Sequence, residues 1–434
     1  MQSTRSVDVA VIGGGLAGLA AAAYAARGGR CVALFEKARA LGGRAMTTRS
    51  GEFHFNLGPH ALFHGGPAEA ALHELGVPLA GGGPAASGAY AVARGTTHAL
   101  PGGFLSLLTT GLFGPLAKLE TARQLGALRR LDPEPLQRVS LADWLHSAIR
   151  GPDVRALVGA LARLCTYSAN QDRMSAAPAL AQVQAVLGKG VRYLDHGWQT
   201  LVDGLRDVAA AAGAQLHAGA RVDAVRPHGP RWEVATDGGR CDATAVVLAT
   251  GPAEAAAVLE GAAGAVLRRW SEEAFPAYAA CLDVGLSRLP RPRATFALGI
   301  DRPLYLSVHS TSARLAPDGG ATVLAAKYLT DRNGDARQHE RELEGLLDLV
   351  QPGWRAEVVE RRYLPNMMVM NTIPVAASGG THGRPTVEVP GARGLYVAGD
   401  WVGPVGMLAD AAFASARRAA ELIARDRECL AAAS

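Results

Sequence analysis

The feature that most constrains the fold of this chain is a glycine pattern close to its N-terminus. Residues 7–12 have the composition of a short buried strand, and residues 16–27 are small residues typical of a helix packed closely on a sheet. Between them stands Gly13-x-Gly15-x-x-Gly18. Its first glycine allows a tight turn, its second lets a pyrophosphate approach the backbone, and its third permits close helix–strand packing. We therefore predict a strand–turn–helix unit that binds a dinucleotide.

The backbone at the start of this helix is expected to face the phosphates. Unpaired amide groups and the positive end of the helix dipole favour an anion there without any basic side chain. The predicted contacts are Gly15, Leu16, Ala17 and Gly18.

An acidic residue follows at the end of a second predicted strand, residues 31–35. Glu36 lies 23 residues after Gly13, where a carboxylate can accept both hydroxyls of an adenosine ribose. An acid at this position disfavours a 2′-phosphate, so NADP is a poor candidate. The segment that follows begins with Lys37, a further predicted contact. Its Gly42-Gly43 pair permits a turn near the pyrophosphate, and Arg44 adds positive charge there.

Residues 11–44 resemble the N-terminus of the flavin amine oxidase superfamily, which includes monoamine oxidases, protoporphyrinogen oxidases and phytoene desaturases. Three later segments, 220–225, 245–251 and 394–400, are similar to the corresponding cofactor-binding strands of that superfamily. The resemblance implies FAD as the cofactor rather than NAD. It also implies noncovalent FAD, because the S-G-G-C motif of covalent attachment in monoamine oxidases is absent.

The resemblance implies further cofactor contacts far from the glycine pattern. Val222 would offer its backbone to the adenine, and Asp400 would bind the flavin ribitol. Other contacts are implied at Gly58, Pro59, Gly251, Gly399, Gly406, Met407 and Leu408. Amides of the last three residues, at the start of a C-terminal helix, would stabilise negative charge on a reduced flavin.

The implied chemistry is removal of a hydride from a substrate carbon held against the flavin, which needs little acid or base. Lys327 is the best positional candidate for a lysine that holds a water near the flavin, although it also fits an outward-facing strand residue. His60 is predicted to face the substrate. No metal is expected, because the spacing of His60 and His64 lacks nearby acidic ligands and the five cysteines lie far apart.

The predicted fold class is α/β, with a discontinuous Rossmann-like FAD-binding domain and an α+β substrate-binding domain. The FAD-binding domain is expected to comprise residues 1–85, 195–262 and 390–434, and the substrate-binding domain residues 86–194 and 263–389. An apolar segment, residues 104–128, is expected to form core or a cap over the active site. Peripheral membrane contact is the alternative for it.

We expect an FAD-dependent oxidoreductase that acts on a C–N or C–C bond of a largely apolar small molecule and passes electrons to oxygen or another acceptor. A non-redox isomerase of an apolar polyene-like substrate and a flavin protein without turnover remain alternatives. A net charge of +5 with no block of like charges argues against nucleic acid. The sparse cysteines favour a cytoplasmic location. The substrate, the electron acceptor and the oligomeric state stay open.

Overall fold

The chain folds into a mixed α/β structure, described here by a computed structural model for residues 5–84, 88–101 and 104–432. Its strands are β1 (Arg5–Ile12), β2 (Val32–Glu36), β3 (Thr47–Ser50), β4 (Phe53–Asn56), β5 (Leu62–Phe63), β6 (Gly81–Gly82), β7 (Ala89–Ala93), β8 (Thr96–Ala99), β9 (Val191–Leu194), β10 (Gln215–Ala218), β11 (Val222–His228), β12 (Arg231–Thr236), β13 (Gly239–Leu248), β14 (Ala277–Leu286), β15 (Phe296–Gly299), β16 (Leu304–Ser307), β17 (Ala321–Leu329), β18 (Val358–Met370) and β19 (Leu395–Val397).

The α-helices lie between and after these strands. They are α1 (Leu16–Arg27), α2 (Pro67–Leu75), α3 (Phe104–Thr109), α4 (Pro115–Leu128), α5 (Leu141–Ala148), α6 (Pro152–Thr166), α7 (Ala176–Lys189), α8 (Gln199–Ala211), α9 (Pro252–Val258), α10 (Ala263–Glu273), α11 (Ala336–Val350) and α12 (Leu408–Ala432).

The first large sheet carries the N-terminal glycine pattern. Its strands run in the order β10, β2, β1, β13, β12, β11, and β19 pairs with the C-terminal part of β13. β1 is parallel to both β2 and β13, and α1 connects β1 to β2, so the predicted strand–turn–helix–strand unit is present. β11 and β12 form an antiparallel extension of the sheet.

Helix α1 packs between this sheet and helices α8 and α12. Its buried residues are mostly alanines, which let neighbouring backbones approach closely. The run without charged residues from Val9 to Ala26 is divided between the buried strand β1 and the buried helix α1. Within the described ranges, no helix has both the length and the apolar composition needed to cross a bilayer.

The second large sheet has the strand order β18, β14, β17, β16, β15, β7, β8. Every residue of β14 is buried, because β17 and β18 flank it and side chains cover both faces of the sheet. Leu343, Leu346 and Leu347 of α11 pack on one face. The opposite face carries Cys281, Tyr305 and other buried residues that pack beneath the cavity described below.

The strands of the first sheet all come from segments 1–85, 195–262 and 390–434, and those of the second sheet from segments 86–194 and 263–389. A small third sheet mixes the two sets, since β9 pairs with β5 and β6. A hydrogen bond from an ion pair of the second sheet also crosses between them. Arg362 of β18 pairs with Asp283 and donates to the backbone oxygen of Asn56. Strand pairing and hydrogen bonding therefore connect the two predicted domains at their boundary.

Candidate functional site

A cavity of about 410 Å³ is lined by residues from both large sheets and from the first turns of α12. It gathers most of the residues predicted from the sequence. Those that line it are Gly13, Gly15, Leu16, Ala17, Glu36, Lys37, Gly42, Gly43, Arg44, Pro59, His60, Gly251, Gly399, Asp400 and Leu408.

A different geometric feature accounts for glycine at each of the three positions of the N-terminal pattern. A Cβ on Gly18 would lie 1.9 Å from the backbone oxygen of Gly13, so this glycine sets the close contact between α1 and β1. Gly13 has a φ of +109°, and a Cβ there would lie 2.6 Å from the oxygen of Ala249. At Gly15, the nearest atom to an added Cβ is 3.9 Å away. Gly15 therefore faces the open cavity, as a phosphate-approaching position requires.

Glu36 is held at the end of β2 by two backbone amides. Its carboxylate accepts from the N–H of Gly14 at 2.7 Å and from the N–H of Ala38 at 2.8 Å. The N–H of Gly42 in turn donates to the oxygen of Gly14 at 2.8 Å, which brings the Gly42-Gly43 turn against the glycine pattern. A carboxylate offers about four acceptor positions. Glu36 therefore keeps acceptor capacity toward the cavity.

Arg44 and Asp400 form a bidentate ion pair at 2.8 and 2.9 Å. Asn371 donates to the same carboxylate twice, from its backbone N–H at 3.0 Å and from its side-chain amide at 2.6 Å. Burial alone would raise the pKa of Asp400, but the Arg44 charge and these hydrogen bonds lower it below its ordinary value. Four donors saturate the four acceptor positions of the carboxylate. Any ribitol hydroxyl that binds Asp400 must therefore displace one of them.

His60 lines the cavity as a neutral imidazole. Its Nδ1 lies 3.0 Å from the oxygen of Gly58, and its ring meets Trp198 edge-on at 4.8 Å between centroids. Burial lowers the pKa of His60 to about 4. At neutral pH this side chain is therefore uncharged and can serve as a hydrogen-bonding group.

Lys327 does not reach the cavity, so its predicted place beside the cofactor is wrong. Its ammonium pairs with Glu342 at 2.9 Å and lies 3.0 Å from Nδ1 of His339, both on α11. Its neighbour in the strand, Tyr328, packs on the opposite face, toward the cavity. The alternation of side chains along β17 thus puts the lysine on the outer face of the sheet.

Other predicted residues also lie outside the lining. Gly58 has a φ of +84° and packs against Met367, while Val222 begins β11 with its side chain in the core. Gly406 takes a φ of +68° against Asp410, and Met407 is buried among the helices α5 to α7. Of the three residues whose amides were predicted to contact the flavin, only Leu408 lines the cavity. The next two residues of α12, Ala409 and Asp410, also line it.

Several lining residues had no usable signal in the sequence. They are Tyr167, Trp198, Glu254, Met367, Met368, Val369, Asn371 and Asp410. Asp410 accepts from the N–H of Ala68 at 2.8 Å, and burial raises the pKa of Asp410 to about 6.

The profile of the flavin-containing amine oxidoreductase family matches residues 16–282. The chain belongs to this family. The predicted superfamily is thereby confirmed, and FAD is the cofactor that membership implies.

Relatives and solved structures of this family agree with the assignment. A Mycobacterium tuberculosis protein named as a flavin-containing monoamine oxidase, AofH, is 32% identical over 282 residues. The match covers 58% of this chain and 59% of that relative's length. A carotenoid 3,4-desaturase of Haloarcula japonica is 46% identical over 59 residues, which cover 14% of this chain and 12% of the desaturase.

The fold is shared with amine oxidases of known structure. Putrescine oxidase superposes with a TM-score of 0.75 at 16% identity, covering 97% of this chain and 100% of that one. Cyclohexylamine oxidase from Brevibacterium oxydans superposes with a TM-score of 0.73 at 16% identity, covering 97% and 99%. These likenesses establish the fold that this family member adopts.

Proposed function

We propose that this family member is an FAD-dependent oxidoreductase that removes a hydride from a C–N or C–C bond of a largely apolar small molecule. The observation that carries the proposal is one continuous cavity. It joins the Gly15 turn and the Glu36 carboxylate to an apolar wall that includes Met367 and Leu408. Oxygen or another acceptor would reoxidise the flavin.

The residues of the first sheet fit the dinucleotide. Gly15 leaves open the space that a Cβ would fill, and no side chain caps the first turn of α1. The amides there are available to a pyrophosphate, while Glu36 is oriented for a ribose. These features support a Rossmann-like FAD-binding domain of residues 1–85, 195–262 and 390–434, with residues 86–194 and 263–389 as the substrate-binding domain.

The second-sheet wall supports an apolar substrate. Bound FAD would supply the hydride acceptor. Met367 and Val369 of β18 would then help to exclude water from the reacting carbon, as such chemistry requires. Neutral His60 adds a hydrogen-bonding group without a charge.

The test is the visible spectrum of the purified protein, followed by denaturation and identification of the released chromophore. We expect an oxidised-flavin spectrum and FAD released into solution. Gly15→Ala should fold normally, because its Cβ meets no protein atom within 3.9 Å, yet lose FAD because that Cβ fills the phosphate approach. Gly126→Ala on α4, which also meets no neighbour, is the control. A colourless wild type that takes up no added FAD would overturn the proposal.

We also propose peripheral membrane contact through α3 and α4. Leu108, Leu116 and Leu119 are 52%, 85% and 72% exposed, although large apolar side chains are usually covered. Arg123 is exposed on the same helix α4 as two of these leucines, and Arg130 is exposed just after that helix ends. Apolar side chains flanked by cations suit the surface of an anionic bilayer.

Sedimentation with vesicles tests this contact. The protein should bind vesicles that contain phosphatidylglycerol more strongly than pure phosphatidylcholine vesicles. The double variant Leu116→Ser/Leu119→Ser should reduce binding, whereas Val359→Ser, which changes a residue 57% exposed on β18, should not. Equal binding by all three proteins would exclude this surface as the contact.

A further inference from the structure

A tyrosine at the end of α6 combines three properties that the cofactor does not explain. Tyr167 lines the cavity, but it comes from the helical region beside the second sheet rather than from the first sheet. Its side chain packs with Met367 and Leu408, and the residue is 7% exposed. It therefore belongs to the apolar wall that the proposed function gives to the substrate.

The backbone of Tyr167 is strained. Its φ of +53° and ψ of +28° are left-handed, at a helix terminus where glycine is the favoured residue. Leu408, on the first turn of α12, also has a φ of +53° and lines the same cavity. Strained non-glycine residues concentrate at ligand-binding sites, where the surrounding structure holds them in place. The side chains of these two residues pack in one cluster at the cavity wall.

The hydroxyl of Tyr167 is free to bind a ligand. Within the described residues it makes no hydrogen bond. It also differs from the polar atoms that are fully buried without a partner, because it keeps some exposed surface. The hydroxyl of neighbouring Tyr328 is such a buried atom. The ring centroids of the two tyrosines lie 6.3 Å apart. Burial raises the pKa of Tyr167, so this group is a neutral phenol that can both donate and accept.

We propose that Tyr167 is a specificity-determining residue whose hydroxyl hydrogen-bonds the single polar group of an otherwise apolar substrate. The inference rests on the proposed function, since it assigns the substrate side of the same cavity. The substrate class is therefore a molecule with an apolar body and one amine, hydroxyl or carbonyl group. A pure hydrocarbon would leave the phenol without a partner in an apolar wall, which is costly.

The experiment compares two probes that differ only in one polar group. Benzyl alcohol and ethylbenzene have the same shape, and each is titrated into the flavin-loaded protein while the flavin absorption spectrum is recorded. Tyr167→Phe, which keeps the ring, should weaken benzyl alcohol binding by about 2- to 10-fold, the range for one lost hydrogen bond between neutral groups. It should leave ethylbenzene binding unchanged.

Tyr328→Phe is the matched control, because it removes a hydroxyl from the same cluster that has no partner to lose. It should change the affinity of neither probe. Equal weakening of both probes by Tyr167→Phe, no weakening of benzyl alcohol, or a flavin-loaded wild type that binds neither probe would overturn the inference. Failure of the wild type to hold FAD would instead refute the proposed function, so the two failures are distinguishable.

Discussion

Replacement of Asp400 by asparagine tests the central ion pair of the cavity. The carboxylate is 4% exposed and accepts two hydrogen bonds from Arg44 and two from Asn371. Asparagine keeps one acceptor oxygen and turns the other into a donor, so one bond from Arg44 and one from Asn371 are lost and the charge disappears. A hydrogen bond to a charged group contributes about 1.5 to 3 kcal/mol. Because the Arg44 side chain is 41% exposed, solvent screens part of this, and we expect a destabilisation of about 2 kcal/mol.

The assay is urea unfolding of the flavin-free protein, followed by tryptophan fluorescence, for wild type and Asp400→Asn. Asp203→Asn is the control, because it weakens an exposed pair with Arg206 and should cost less than about 0.5 kcal/mol. A loss for Asp400→Asn no larger than that of the control would refute the reasoning.

The pH dependence gives a second check on Asp400. Its pKa is lowered in the folded protein, whereas an unfolded aspartate titrates near about 3.9. A lowered pKa stabilises the folded state above the unfolded value, and this stability is lost as pH falls through the folded value. The difference between wild type and Asp400→Asn should therefore stay constant from about pH 5 to 8 and shrink only below about pH 4. A difference that varies between pH 5 and 8 would place the titration on another group.

Three further substitutions separate binding, packing and catalysis. Glu36→Gln should lower FAD occupancy, measured by flavin absorbance per protein, because the amide presents a donor where a ribose hydroxyl donates; unchanged occupancy would remove the ribose role. Gly18→Ala should unfold α1 from β1, since its Cβ would lie 1.9 Å from the Gly13 oxygen, and a native circular dichroism spectrum and melting temperature would contradict this. Lys327→Met should preserve the rate of flavin reduction by substrate, because Lys327 lies on the outer face of the sheet, away from the cavity. It should lower the melting temperature, because Glu342 loses its Lys327 partner. A large loss of rate would restore the lysine to the reaction.

Local signals predicted the first sheet well because each of its parts is short and contiguous. The expected strand at residues 7–12, the helix at 16–27 and the acid at 36 appear as β1, α1 and the end of β2. The expected C-terminal helix appears as α12, Leu408–Ala432. The strand considered for Lys327 is present as β17, yet the period of two along a strand does not tell which of its faces meets the cavity. That ambiguity is the reason for the error at Lys327.

The substrate side could not be predicted, because it depends on contacts across long stretches of chain. Tyr167 and Leu408 are more than 200 residues apart in sequence. Both have a left-handed backbone, which neither tyrosine nor leucine predicts. Asn371 follows a strand whose exposure pattern is irregular. None of these positions carries a motif, so only the packing of the second sheet against the first brings them together.

The saturated Asp400 carboxylate connects these two kinds of residue. The sequence assigned Arg44 to the pyrophosphate and Asp400 to the ribitol as separate contacts, whereas the structure pairs them with each other. Both assignments hold together only if Arg44 turns toward the phosphates as the ribitol approaches, since the hydroxyl then takes the acceptor positions that the guanidinium leaves. Asn371 would remain as the fixed donor that keeps the carboxylate oriented. Arg44 thus compensates the buried charge of Asp400, and the carboxylate would be costly to bury without a charged or hydrogen-bonded partner.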